Sequence, residues 1–131
     1  MINKNLLMAV CVGMISAVIL GILFADQTDN KHLPLLLTIP KTEYTAGESV
    51  IIAIKNKGLY PLSFPNDAFG VSVTDSKGLI VWRPSHGEKY ETIEPNQVQT
   101  ISWDTTNFAT GTYTIWSHVS IISASIMIEI I

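Results

Sequence analysis

Past residue 34 the chain reads as short apolar runs divided by turn residues. LLLTI (35–39) stops at a proline, ESVIIAIKN (48–56) runs into KNKG, and YPLSF (60–64) runs into PND. FGVSV (69–73) alternates, which predicts Phe69, Val71 and Val73 on one face and Gly70 and Ser72 on the other. A TDSKG turn (74–78) leads to LIVWR (79–83); QVQTISW (97–103) alternates again, and GTYTIWSHV (111–119) and ASIMIEII (124–131) complete the series. That makes about eight runs with turn chemistry between most of them. No stretch beyond residue 33 repeats its apolar residues every 3.6 positions over a helical length. The pattern predicts an all-β fold, an immunoglobulin-like β-sandwich of about 7–8 strands over residues 35–131. Val71, Val73, Trp82, Trp103 and Tyr113 are its expected core residues, and Ser49, Ser72 and Thr74 are expected on solvated faces.

The N-terminus breaks the pattern. Leu6 to Phe24 carries no charge, and Ser16 is its only polar side chain. Nineteen residues in a helix extend about 28 Å, close to the thickness of a bilayer core. Residues 1–25 are therefore expected to form one transmembrane anchor in contact with lipid. With Lys4 before it and Asp26 and Asp29 after it, the N-terminus is expected in the cytoplasm and the rest outside, in the cell membrane as a single-pass protein. A cleaved signal peptide is the rival reading. Its apolar core is usually shorter, and cleavage after Ala25 would put Leu23 where a small residue is wanted. Residues 26–34 form a polar linker. As a flexible coil it would hold the domain within roughly 15 Å of the membrane.

Charge and cysteine content narrow the chemistry. The chain of 131 residues has a formal net charge of −3. Such a balance argues against a nucleic-acid partner, which would need a basic stripe. The mean hydropathy of +0.33 is raised by the anchor. Cys11 is the only cysteine and falls inside the apolar segment. Val10 before it does not fit a lipidation site. The exported part then has neither disulfide nor thiolate ligand and must be held by its core. His32, His86 and His118 have no second ligand at close spacing, and a blue-copper centre would need a cysteine. No G-x-S-x-G elbow accompanies Ser85 and His86. No cofactor, no metal and no enzymatic activity are expected.

The segment GLIVWRPSHGE (78–88) changes character in its middle. Gly78 closes a turn, LIVWR returns as the partner of FGVSV, and Pro84 ends the strand because it lacks an N–H. Here VSVTDSKGLIVWRPSHGE resembles the BsuPI-like domain family, named after a bacterial intracellular proteinase inhibitor. The matching residues are Val71, Val73, Asp75, Gly78, Val81, Trp82, Arg83 and Ser85. Pro95 and Gln97 stand where that family has a P-G-E-like turn, with Asn96, which also tolerates a left-handed conformation, replacing the glycine. Trp103-Asp104 and Gly111-Thr-Tyr113-Thr continue the similarity, which covers most of residues 44–119. The resemblance implies an immunoglobulin-like sandwich; inhibitor activity belongs to few family members, and the membrane anchor departs from an intracellular inhibitor. Separately, Asp104, Gly111 and Tyr113 resemble the tyrosine corner of immunoglobulin-like domains, with Ile115 where antibody domains carry a cysteine; an ordinary strand aromatic is the alternative.

Two function classes follow. The first is a membrane-anchored extracytoplasmic module for protein–protein interaction, an accessory or structural subunit with a protein partner in or near the membrane. The second is a proteinase inhibitor of the BsuPI type, with Arg83-Pro84 as the tempting bond. Candidate interaction residues are Arg83, His86, Glu88 and Tyr90 in a loop expected from Pro84 to Glu94, and Met127 on the last strand. Tyr90 either anchors a partner or folds back over the end of the core. In the last run Ile126, Ile128 and Ile130 share one face, and Met127 and Ile131 the other, so one face is expected to be covered by a neighbour or by lipid.

Overall fold

The structure is a computed structural model and describes residues 33–131. The expected anchor and the linker up to His32 lie outside the described residues. Among the described residues the regular structure is entirely β, and no helix is long and apolar enough to cross a membrane. The strands are β1 (Leu35–Thr38), β2 (Glu43–Tyr44), β3 (Ser49–Asn56), β4 (Leu62–Phe64), β5 (Val71–Thr74), β6 (Ile80–Trp82), β7 (Glu91–Ile93), β8 (Val98–Asp104), β9 (Gly111–Val119) and β10 (Ile122–Ile130). They form a three-stranded sheet β1-β3-β8, a five-stranded sheet β2-β10-β9-β5-β6 and a two-stranded pair β4-β7. All pairings are antiparallel except that of β2 with β10.

The pleat of the strands, which sends successive side chains to opposite faces, explains the burial. On β3, Val50, Ile52 and Ile54 are fully buried while Ser49 and Ile51 face out. Val50 lies opposite Trp103 of β8, so the largest core side chain enters from the neighbouring strand. On β9, Tyr113, Ile115 and Ser117 point inward, and β10 supplies Ala124, Ile128 and Ile130 beside them. The inward apolar residues of both larger sheets belong to one hydrophobic core. The β9–β10 hairpin turns at Ser120-Ile121, with Ser120 at φ 54°, a handedness that suits the twist of a tight hairpin. The first edge of the chain is divided: β1 pairs with β3 in one sheet, and β2, five residues later, pairs with β10 in the other.

Several expectations change in detail. β5 begins at Val71, not Phe69, because Phe69 (φ 50°) and Gly70 (φ 68°) are left-handed and end a loop instead. Ser72 is buried rather than solvated. It sits directly across from Trp116, whose indole N–H donates to Thr74 Oγ1 at 3.0 Å, so the ring lies over the outer face of β5. Trp82 is only half-buried; it packs on the core from outside, stacked on Trp103 at 5.8 Å. Tyr60 precedes β4 rather than starting it. Glu91–Ile93, expected in a loop, is the strand β7. The last strand is not a free edge along its whole length, since it lies between β9 and β2.

Candidate functional site

The loop after β6 carries four of the five candidate residues. Arg83, His86, Glu88 and Tyr90 are all exposed. The loop is tied down at its middle: the Gly87 N–H donates to Asp67 Oδ1 at 3.0 Å, and the His86 ring Nδ1 lies 2.7 Å from the Gly87 carbonyl oxygen. Tyr90 is 78% exposed, so it does not fold back over the core. Met127 is 61% exposed and stands on β10 opposite Thr114 of β9. The two groups are not brought together, because β9 and β5 separate β10 from β6. Among the described residues no three His, Cys, Asp or Glu side chains gather as a metal site requires.

The outer face of the five-stranded sheet carries a feature that sequence reading passed over. Trp116 and His118, two apart on β9, stack their rings at 5.7 Å and nearly parallel. Ser125 and Ser123 of β10 lie across from them. Beyond β2, which reaches only Glu129 and Ile130, the outer edge of β10 from Ile122 to Ile128 has no strand partner among the described residues. Alternation on GTYTIWSHV would have marked Trp116 and His118 as a shared outward face.

A second organised region lies at the end of the domain where the chain leads in. Asn56 closes β3 and is fully buried. Its Nδ2 donates to the carbonyls of Tyr60 at 2.8 Å and Ile93 at 2.9 Å, and its Oδ1 accepts from the Gly58 N–H at 2.8 Å. Its own main chain binds Gln97 and Asn96, and the next residue, Lys57, donates to the Pro34 carbonyl at 2.6 Å. The side chain of Asn56 thus joins the end of β3 to the 57–60 loop and β7, and the main chain of Asn56 and Lys57 adds the β7–β8 turn, where Asn96 takes the left-handed φ of 69°, and the start of β1. A strand-ending asparagine ahead of a glycine turn is the signal that points to such a role. Asn56→Ala leaves the Ile93 carbonyl without its donor in a buried place. It is expected to lower stability by about 1–3 kcal/mol, measured by urea unfolding; an unchanged midpoint would show that water replaces the amide.

Elsewhere the electrostatics are of surface type. Lys41 and Glu48 pair at 2.8 Å, and the Glu48 carboxyl is held below its usual range by that bond and by the Thr45 N–H. Asp104 is held low in the same way by Thr106. Burial pushes the Tyr44 hydroxyl well above its ordinary value. Tyr113, 7% exposed, donates its hydroxyl to the Ala109 carbonyl at 2.7 Å, four residues upstream.

No protein-family model matches the chain, and no curated protein matches it. Among solved structures, the chain is similar to a beta-glucosidase from Listeria innocua in complex with gluconolactone. The identity is 16% and the TM-score 0.38, over 73% of this chain and 16% of that one.

Proposed function

We propose that residues 35–131 form an immunoglobulin-like sandwich carried outside the cell membrane by the Leu6–Phe24 anchor, and that the domain serves protein–protein interaction as an accessory subunit of a membrane or envelope complex. The sheet order supports the fold reading. β1-β3-β8 corresponds to an A-B-E sheet and β10-β9-β5-β6 to G-F-C-C′, with the first strand divided between the two sheets. The Tyr113 hydroxyl bond near the start of β9, with buried Ile115 two residues on, has the form of a tyrosine corner. This is also the fold that the BsuPI-like resemblance implies.

The observation that carries the interaction reading is Met127: a flexible apolar side chain, 61% exposed, beside an unpaired strand edge. A partner strand along Ile122–Ile128 would satisfy that edge and cover Met127. Full-length protein bearing Met127→Lys is expected to lose its co-purifying partner in mild detergent, at least tenfold by quantitative mass spectrometry, with an unchanged melting temperature. Equal recovery of the partner by the variant and the parent sinks this reading, and a lowered melting temperature would assign Met127 to the core.

A second reading rests on the exposed Arg83 and on the loop held by the Gly87–Asp67 bond, since a protease inhibitor needs an exposed, restrained loop. Stoichiometric inhibition of a trypsin-like protease, abolished by Arg83→Ala, would put it first.

A further inference from the structure

Three of the most exposed large apolar side chains lie at one end of the domain. Leu59 is 85% exposed, Tyr60 78% and Ile121 98%. Their common location follows from bonds already described and a few more. Asn56 draws Tyr60 and Ile93 together. Ile93 pairs with Leu62 at the start of β4, and Phe64 at its end meets Phe69 edge to face at 5.4 Å. The Phe69 carbonyl accepts from Ser117 Oγ at 2.7 Å, and the Gly70 carbonyl accepts from the His118 N–H at 3.1 Å. The β9–β10 turn with Ile121 at its tip therefore lies at the same end as the 57–60 loop. At the other end of β10, Ile131 bonds to Tyr44 and Ala46, next to the start of β3.

The end that carries these three residues is also the one where the chain leads in. Lys57 donates to the Pro34 carbonyl, and a Cβ at Gly58 would come within 2.8 Å of the Pro34 Cβ. The loop bearing Leu59 and Tyr60 is thus packed directly on Pro34, where the linker meets β1. It is not a loose tip: the Asn56 side chain fixes it at Gly58 and Tyr60. Folding has left two large apolar side chains in solvent on a restrained loop, with a third on a tight hairpin beside it. The opposite end presents Lys41, Glu43, Glu48, Asp75 and Lys77, with Leu79 and Ile131 among them.

We propose that Leu59, Tyr60 and Ile121 dip into the interfacial layer of a lipid bilayer, so that the domain rests on the membrane by the end at which the chain leads in. This rests on the anchor reading, because a linker reaching roughly 15 Å brings that end, rather than the opposite one, to the surface. The occupant is lipid because the contacts match its layers. Leucine and isoleucine side chains reach the acyl boundary, and tyrosine, with an apolar ring and a polar hydroxyl, favours the headgroup level. The three side chains are uncharged, while Lys57 on the same loop and Glu88 and Lys89 on the loop tied to Asp67 give the rim both signs of charge, so zwitterionic phosphatidylcholine is sufficient and anionic headgroups are not required.

The test uses the full chain in phosphatidylcholine vesicles. Cys11→Ser removes the sole cysteine, and Leu59→Cys, Ile121→Cys and Leu79→Cys are each labelled with the environment-sensitive fluorophore NBD. These three side chains are exposed, so labelling leaves the core intact. Vesicle flotation is measured first, then quenching by nitroxide-bearing lipids. The expected result is flotation of all three, blue-shifted emission with loss of most of the signal at positions 59 and 121, and aqueous, unquenched emission at position 79. A chain that floats with 59 and 121 unquenched, or with all three quenched alike, overturns this proposal and leaves the anchor standing. A chain that stays in the lipid-free fraction overturns both.

Discussion

Trp103→Ala is expected to lower the unfolding free energy by about 3–5 kcal/mol, a large share of the roughly 5–15 kcal/mol typical of a domain. Trp103 is fully buried and is the largest such side chain. Its ring is the hub of an aromatic cluster: it stacks on Trp82 at 5.8 Å and meets Phe108 at 5.1 Å and Tyr113 at 5.7 Å edge to face. Truncation removes all three contacts and opens a cavity between the two larger sheets, which β8 and β9 cannot close without breaking their pairings. Trp82→Ala removes one of those contacts from a half-buried ring and is expected to cost about 1–3 kcal/mol. The order of the two is the informative result in urea unfolding. Trp103→Phe gives a further check. The Trp103 indole N–H is buried with no hydrogen-bond partner among the described residues, so phenylalanine removes a buried donor together with part of the ring. Its cost is expected to fall well below that of alanine. A Trp82→Ala loss as large as that of Trp103→Ala would mean that Trp82 is enclosed in solution.

Why these residues and not others could be read from the sequence is a matter of local against distant physics. GTYTIWSHV is the strand β9 residue for residue, because turn signals bound it on both sides and no helical period competes with it. β3 was legible as a near-continuous apolar run that stops at the KNKG turn. β2 and β7, of two and three residues, are too short to show a period, and both exist only because a distant strand offers them bonds. Ser72 illustrates the opposite failure. A serine beside inward valines reads as solvated, and only the indole of Trp116, 44 positions away in sequence, puts it under cover. Arg83, His86 and Glu88 were placed on the surface by polarity and a strand end and Met127 by alternation, with Tyr90 left between an anchor and a cover over the core, yet nothing in the sequence said that β9 and β5 would keep Met127 from the 83–90 loop. Tyr60 was obscured by the same logic that finds cores, since an apolar residue next to a strand run is read as part of it, here YPLSF, while Leu59 and Ile121 fell between runs and drew no reading. Leu59 and Tyr60 owe their place to Asn56, whose side-chain bonds fix the 57–60 loop at Gly58 and Tyr60.

Gly70→Ala is expected to cost about 3 kcal/mol or more, at the upper end of overpacking effects, and to reduce the yield of folded protein. Two demands meet at this position. Its φ of +68° lies in the left-handed region, where a Cβ costs about 1 kcal/mol. The greater cost is steric. A Cβ built there falls 2.0 Å from the His118 carbonyl oxygen and 2.7 Å from its nitrogen. Both are main-chain atoms, so no rotamer change relieves the contact. Relief requires β5 and β9 to separate at the end where Val71 faces Ser117. That separation strains the His118 N–H bond to the Gly70 carbonyl and the Ser117 hydroxyl bond to the Phe69 carbonyl. The pairing of β5 with β9 lies inside the five-stranded sheet, so the disturbance does not stay at a rim. Gly47→Ala is the matched control: its φ is +97°, and an added Cβ there meets nothing within 4 Å. It should show the conformational cost alone, about 1 kcal/mol. The difference between the two variants, read from urea midpoints with a common slope, isolates the contact with His118. Equal losses at both glycines would mean that β5 and β9 do not approach each other this closely, and the register Val71 to Ser117 would have to be given up.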